Sequence, residues 1–142
     1  MKRPRYVLDS YALLAYFQRE AGGAVVKALL ERAAQGEVQL YVSLINLGEL
    51  AYLTERRRGT SALRQTLAVL DRLALHLANV DRKRVLAAAL VKAHHPISYA
   101  DAFAAALAQE LEAPVVTGNP EFHKVEDIVQ VLWLERDETV GR

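Results

Sequence analysis

Ile97-Ser98-Tyr99-Ala100-Asp101-Ala102-Phe103-Ala104-Ala105-Ala106-Leu107-Ala108 holds one charged side chain, Asp101, in a run that is apolar on nearly every helical face. A helix of that kind reads as buried. A carboxylate inside it must be paired, hydrogen-bonded or bound to a cation, because an isolated buried charge is very costly. Two more acids keep similar company. Asp9 follows Tyr6-Val7-Leu8, and Glu49 lies within Leu44-Ile45-Asn46-Leu47-Gly48-Glu49-Leu50-Ala51-Tyr52-Leu53. Three acids in three apolar settings point to one shared acidic pocket.

Outward from that run, the chain alternates strands and helices. Residues 5–8 read as a short buried strand and 10–19 as a helix. After Ala21-Gly22-Gly23, helical spacing puts Val25, Leu29 and Ala33 on one stripe of a helix over 24–34. Residues 39–42 form a second strand. Ser43 caps the next helix, which runs to Arg56-Arg57-Arg58 and stops at Gly59. A helix follows over 61–73, then a third strand within 75–80, and Asp81 caps a helix ending near His95-Pro96. The Asp101 helix runs to about Glu112, and Val115-Val116-Thr117 and Val129 to Leu134 supply the fourth and fifth strands. The alternation predicts an α/β sandwich with a largely parallel sheet.

The 142 residues suit one domain spanning 1–142, with 135–142 as a loose tail. A formal charge of +1 gives no strong nonspecific pull toward polyanions, so any such affinity must come from local basic patches. Without cysteine, disulfides and thiolate metal sites are excluded. The basic start Met1-Lys2-Arg3-Pro4-Arg5 precedes an apolar run broken by Asp9 and Ser10, which argues against a signal peptide. No run approaches the roughly 20 apolar residues needed to span a bilayer, so a cytoplasmic protein with no membrane partner is the expectation.

Each acid also has a plainer reading. Asp9 sits just past the first strand, where open α/β sheets form their ligand crevice, and also where an Asp caps a helix. Glu49 shares a helix face with Ile45, Tyr52 and Leu53, yet a long side chain can snorkel to solvent from there. Ser98-Tyr99-Ala100-Asp101 fits a capping box. In Val115-Val116-Thr117-Gly118-Asn119-Pro120-Glu121-Phe122, the strand end brings Thr117, Asn119 and Glu121 to the same crevice edge, while Asn-Pro after Gly is ordinary turn chemistry. Clustered carboxylates repel, and a divalent cation reverses that penalty. All-oxygen ligands suit Mg²⁺ or Mn²⁺, which bind through a few carboxylates plus substrate phosphate. The chemistry implied is metal-assisted phosphodiester hydrolysis.

Val7-Leu8-Asp9-Ser10, Ser43 through Glu49-Leu50, Ser98-Tyr99-Ala100-Asp101-Ala102 and Val116-Thr117-Gly118-Asn119-Pro120-Glu121-Phe122 occur in the order seen in PIN domains. Over nearly its whole length the chain resembles the VapC-like toxins of bacterial and archaeal toxin–antitoxin pairs. The resemblance implies a three-layer α/β/α sandwich with a parallel sheet of about five strands. It also implies an acidic centre that binds Mg²⁺ or Mn²⁺ and cleaves RNA, a small antitoxin partner and a homodimer. Carried over, Asp9, Glu49 and Asp101 are metal-site acids with catalytic roles. Asn119 stands where the family commonly has Asp, a departure, since an amide oxygen can ligate a metal but adds no negative charge. Glu121 can compensate as a metal ligand. Ser10 and Thr117 are candidates to hold a water or phosphate oxygen of the substrate.

Arg56, Arg57, Arg58 and Arg64 are candidates for an RNA-backbone patch, although cations also suit a helix C-terminus. The four histidines lack zinc-ligand spacing. No P-loop, no Gly-x-Ser-x-Gly elbow and no second Asp after Asp9-Ser10-Tyr11 is present, which argues against a P-loop nucleotidase, an α/β-hydrolase and an aspartyl-phosphate phosphatase. Two rival expectations stand beside the ribonuclease. Asn119 motivates a catalytically weak PIN-like RNA-binding or interaction module. A structure-specific DNA nuclease ranks lower, because the chain has no long insertion to thread a flap. The apolar helices over 24–34 and 44–54 are candidates for partner contacts.

Overall fold

Val7 and Leu8 are both fully buried, but on opposite sides of their strand, and that division organises the molecule. In the computed structural model, which describes residues 3–135, they end β1 (Arg5–Leu8). Period-2 geometry sends Val7 into one hydrophobic cluster and Leu8 into the other. A strand buried on both faces is the mark of a parallel sheet covered by helices on each side. The sheet contains β1, β2 (Gln39–Ser43), β3 (Leu75–Ala78), β4 (Val115–Thr117) and β5 (Val131–Trp133), in the order β3-β2-β1-β4-β5. Every described pairing is parallel.

On the Leu8 side lie α1 (Ser10–Phe17), α2 (Gly23–Ala34) and much of α3 (Leu44–Arg58), with Leu70 of α4 (Thr60–Leu70). On the Val7 side lie α5 (Arg82–His94) and α6 (Tyr99–Leu111), the helix that carries Asp101. Residues 101–108 of α6 are all buried, as its lack of a polar face requires. The result is the expected three-layer α/β/α sandwich.

Several boundaries shift for identifiable reasons. β3 lies within the expected 75–80 and stops at Ala78, because its partner β2 ends at Ser43, the residue opposite Ala78. Ser43 then turns to cap α3, its hydroxyl accepting from the Ile45 N–H at 3.2 Å. β5 covers only 131–133 of the expected 129–134, because β4 offers three residues to pair with. The first helix ends at Phe17, and Arg19 takes a left-handed backbone at φ 53°. The Asn119 turn continues into a short 3₁₀ helix, Pro120–Val125, favoured by proline at its start. All but Glu135 of the expected 135–142 tail, together with Met1 and Lys2 of the basic start, lies outside the described residues.

The strand order reverses between β1 and β4: the chain builds outward from β1 through β2 to β3, then returns to β4 on the other side. Parallel α/β sheets open a crevice at the carboxyl ends of the two strands flanking such a switch point. Asp9 follows β1 there, and Thr117 ends β4.

Candidate metal centre

Asp9 is 1% exposed and has both carboxylate oxygens engaged. Oδ1 accepts from the Ala12 N–H at 2.9 Å, capping α1, and Oδ2 accepts from the Thr117 hydroxyl at 2.5 Å. Capping and cleft placement therefore coexist. Burial, opposed by those two hydrogen bonds and aided by repulsion from Asp101 and Glu49, pushes its pKa up to about 7.

Ser10, the first residue of α1, donates its hydroxyl to Glu49 Oε1 in a short hydrogen bond. That contact docks Glu49 of α3 beside Asp9, so the side chain is drawn inward rather than snorkelling. Asp101 sits in the first turn of α6, where its N–H donates to the Ser98 hydroxyl at 3.1 Å. Its carboxylate faces Asn119, whose Nδ2 lies 3.5 Å from Oδ2. Burial, with repulsion from Glu49 and Glu121, raises the Asp101 pKa to about 6. Asp9, at the end of β1, Glu49 of α3 and Asp101 of α6 thus come together at the carboxyl end of the sheet, close enough to repel one another. Among the described residues, none of the three forms a salt bridge with a Lys or Arg.

The remaining candidates are placed differently from one another. Thr117 and Ser10 turn their hydroxyls onto Asp9 and Glu49, so they hold the acids in position. Thr117 Oγ1 also accepts from the Asn119 N–H at 3.0 Å. Asn119 uses its Oδ1 to cap the 3₁₀ helix through the Glu121 N–H at 3.0 Å. Glu121 is exposed at the cleft rim and paired with Lys124 at 2.6 Å. Arg56 and Arg57 lie exposed in the last turn of α3, with Arg56 stacked 5.3 Å over the Tyr52 ring. Glu49, Tyr52 and Arg56 share one helical stripe, since seven residues bring a helix back almost to the same face. Arg64, on α4, is exposed.

One residue escaped the sequence reading. Asn46, fully buried on α3, donates from Nδ2 to the Ala100 carbonyl at 3.2 Å and so ties α3 to the first turn of α6. Its Oδ1 is buried without a hydrogen-bond partner. The signal was an amide inside an apolar run, three residues before Glu49 on the same helix face.

Among the described residues, no three His, Asp or Glu side chains are gathered into a compact ready-made metal shell. The donor set nonetheless fits a hard cation. It is all oxygen, it concentrates unpaired negative charge, and Mg²⁺ characteristically binds through one or two carboxylates while keeping several waters. Asp9, Glu49 and Asp101 are the carboxylates that could hold such an ion, and both oxygens of Asp9 already accept hydrogen bonds.

The family model for the PIN domain matches residues 6–128. Among solved structures, the fold is similar to VapBC2 from Rickettsia felis bound to a DNA fragment from its promoter, at 17% identity and TM-score 0.74, covering 92% of this chain and 99% of that one. It is similar to the sarcin-ricin loop cleaving toxin VapC20 of Mycobacterium tuberculosis, at 19% identity and TM-score 0.70, covering 89% and 98%. A third similarity is to VapBC-1 from nontypeable Haemophilus influenzae, at 22% identity and TM-score 0.63, covering 91% and 97%. No curated protein sequence matches significantly. At these identities the structural likeness is one of fold.

Proposed function

The chain belongs to the PIN-domain family, and from that membership we propose that it is a metal-dependent endoribonuclease, the toxin of a toxin–antitoxin pair. The observation that carries the reading is that Asp9 and Asp101 are buried with no Lys or Arg salt bridge among the described residues and lie near enough to Glu49 to be repelled by it, so burial raises both carboxyls. Structural ion pairs do not account for such acids, and strongly perturbed carboxyls in a cleft mark functional sites.

In this mechanism Asp9, Glu49 and Asp101 would hold a Mg²⁺ or Mn²⁺ ion, with Glu121 as a further candidate ligand. When bound, such an ion neutralises charge developing on a phosphodiester and makes water more acidic. The chain's own work is positioning. Thr117 fixes the Asp9 carboxylate, Ser10 fixes Glu49, and Ser98 and Asn46 hold the first turn of α6 that presents Asp101. Arg56 and Arg57 offer backbone contacts two turns along α3 from Glu49. The antitoxin and a second copy of the chain are the proposed protein partners. The exposed Leu44 and Tyr52 of α3 and Leu86 and Leu90 of α5 supply apolar surface for them.

The test is RNA cleavage with Mn²⁺ and with chelator, comparing the native chain with Asp101→Asn. Cleavage that needs the ion and falls at least 100-fold in the variant is the expected result. Equal cleavage by both proteins removes the reading. Digestion of RNA and single-stranded DNA side by side separates the ribonuclease from a DNA nuclease. A second reading, a PIN-like RNA-binding module with little activity, draws on Asn119, whose carboxamide oxygen is committed to capping. Binding of RNA without cleavage, with activity appearing in Asn119→Asp, favours that module.

A further inference from the structure

Trp133 belongs to the same row of the sheet as the acidic cleft. Leu8 pairs with Val116 and Thr117 with Trp133, so the next step of the register aligns Asp9, Thr117 and Trp133 across β1, β4 and β5. The Thr117 hydroxyl bonded to Asp9 confirms the first link of that row. Trp133 therefore stands two strand spacings from Asp9, about 10 Å, at the same carboxyl-end edge.

Its surroundings are unusual for an edge-strand tryptophan. Trp133 is 37% exposed, yet its indole is held in place by two groups. His123, from the 3₁₀ helix, stacks on it with ring centroids 4.2 Å apart and planes 27° from parallel. Glu126 accepts from the indole N–H at 3.4 Å and bonds His123 Nδ1 at 2.7 Å. Both rings are solvent-accessible, so the pair fills no core. It is a braced aromatic surface beside the cleft. Glu126 lies against both rings, and the one other acid of the short helix, Glu121, is paired with Lys124, so among the described residues no cation touches the ring pair and a flat uncharged π-face is the fitting ligand.

We propose that Trp133, braced by His123 and Glu126, is a stacking platform for an unpaired base of the RNA strand whose backbone enters the acidic cleft. The proposal rests on the ribonuclease reading and specifies which nucleic-acid feature that site accepts. Aromatic platforms bind single strands in this way because every base has a face to stack, so the contact favours unpaired over duplex RNA and is tolerant of sequence.

Trp133 is the only tryptophan in the chain, so its emission reports from this position alone. The experiment titrates the full-length Asp101→Asn protein with a short single-stranded oligoribonucleotide in Mg²⁺, following indole emission and, separately, the anisotropy of a dye on the RNA. The expected result is quenching that saturates with the anisotropy midpoint, while an abasic strand of equal length leaves emission unchanged. In the otherwise native chain, Trp133→Leu should raise KM for RNA about 10- to 100-fold with kcat little changed, and Trp133→Phe should restore most of the loss. Binding seen by anisotropy without any change in emission overturns the platform and leaves the ribonuclease standing. So does equal quenching by the abasic strand, because phosphate would then be what reaches the site. Absence of both binding and cleavage in the native chain removes the platform together with the ribonuclease. The emission measurement uses the native tryptophan and stands even if Trp133→Leu folds poorly.

Discussion

Replacing Asp9 by Asn should make the metal-free fold more stable at neutral pH, although it removes a residue at the heart of the cleft. Burial moves the carboxyl from its ordinary value of 3.8 to about 7. At 1.36 kcal/mol for each tenfold change, the ionised form carries a ceiling of about 4 kcal/mol of unfavourable free energy. The sign follows from proton uptake: the native state binds this proton more tightly than the unfolded chain. The group's contribution to stability is therefore complete below about pH 3.8 and drains away as pH rises toward 7. Asn keeps an acceptor for the Ala12 N–H and remains a good helix cap, so the capping contribution is retained. Local relaxation reduces the ceiling, and a gain of about 2 kcal/mol is expected at about pH 8, or about 4 °C in Tm per kcal/mol for a chain of this length. Circular-dichroism melts in chelator at about pH 4 and pH 8 measure it: the two proteins should melt together at the acid end and diverge at the alkaline end. Added Mn²⁺ should then raise the Tm of the native chain, by mass action on the folded state, and leave Asp9→Asn nearly unmoved. A variant that melts at or below the native protein at pH 8 in chelator refutes the reasoning, since the cap and the Thr117 bond would then outweigh the cost of burial.

Asn119→Asp places a fourth carboxylate where the amide now donates to Asp101 at 3.5 Å. It should lower the Tm in chelator and reduce the Mn²⁺ concentration needed for half-maximal cleavage by about tenfold, as read from metal titrations. Gly118→Ala tests the strand end that holds Asp9, because an added Cβ meets the Tyr11 ring at 2.5 Å. Crowding there should cost about 1–3 kcal/mol in denaturant melts and weaken cleavage by displacing Thr117; unchanged stability and activity would show that the close approach is dispensable.

Much of this architecture was legible in local pattern. The short apolar strand before Asp9, the uniformly apolar Asp101 helix and the caps at Ser43, Asp81 and Ser98 all follow from side-chain periodicity and the needs of helix ends, which act within a few residues. The fifth strand is shorter than its apolar run because β4 offers only three residues to pair with, and a ladder's length belongs to both strands. The three acids could be named from their apolar neighbours, but what holds each one could not.

The amino-acid order by itself determined most of the segments that become strands and helices, and marked Asp9, Glu49 and Asp101 as acids set among apolar neighbours. Tertiary structure alone decided that β4 lies beside β1, that Ser10 serves Glu49 while Thr117 serves Asp9, and that Trp133 falls in the same cross-strand row as Asp9. The reason is range: periodicity and capping are encoded by neighbours in sequence, whereas the meeting of residues 9 and 117 depends on how every layer packs at once.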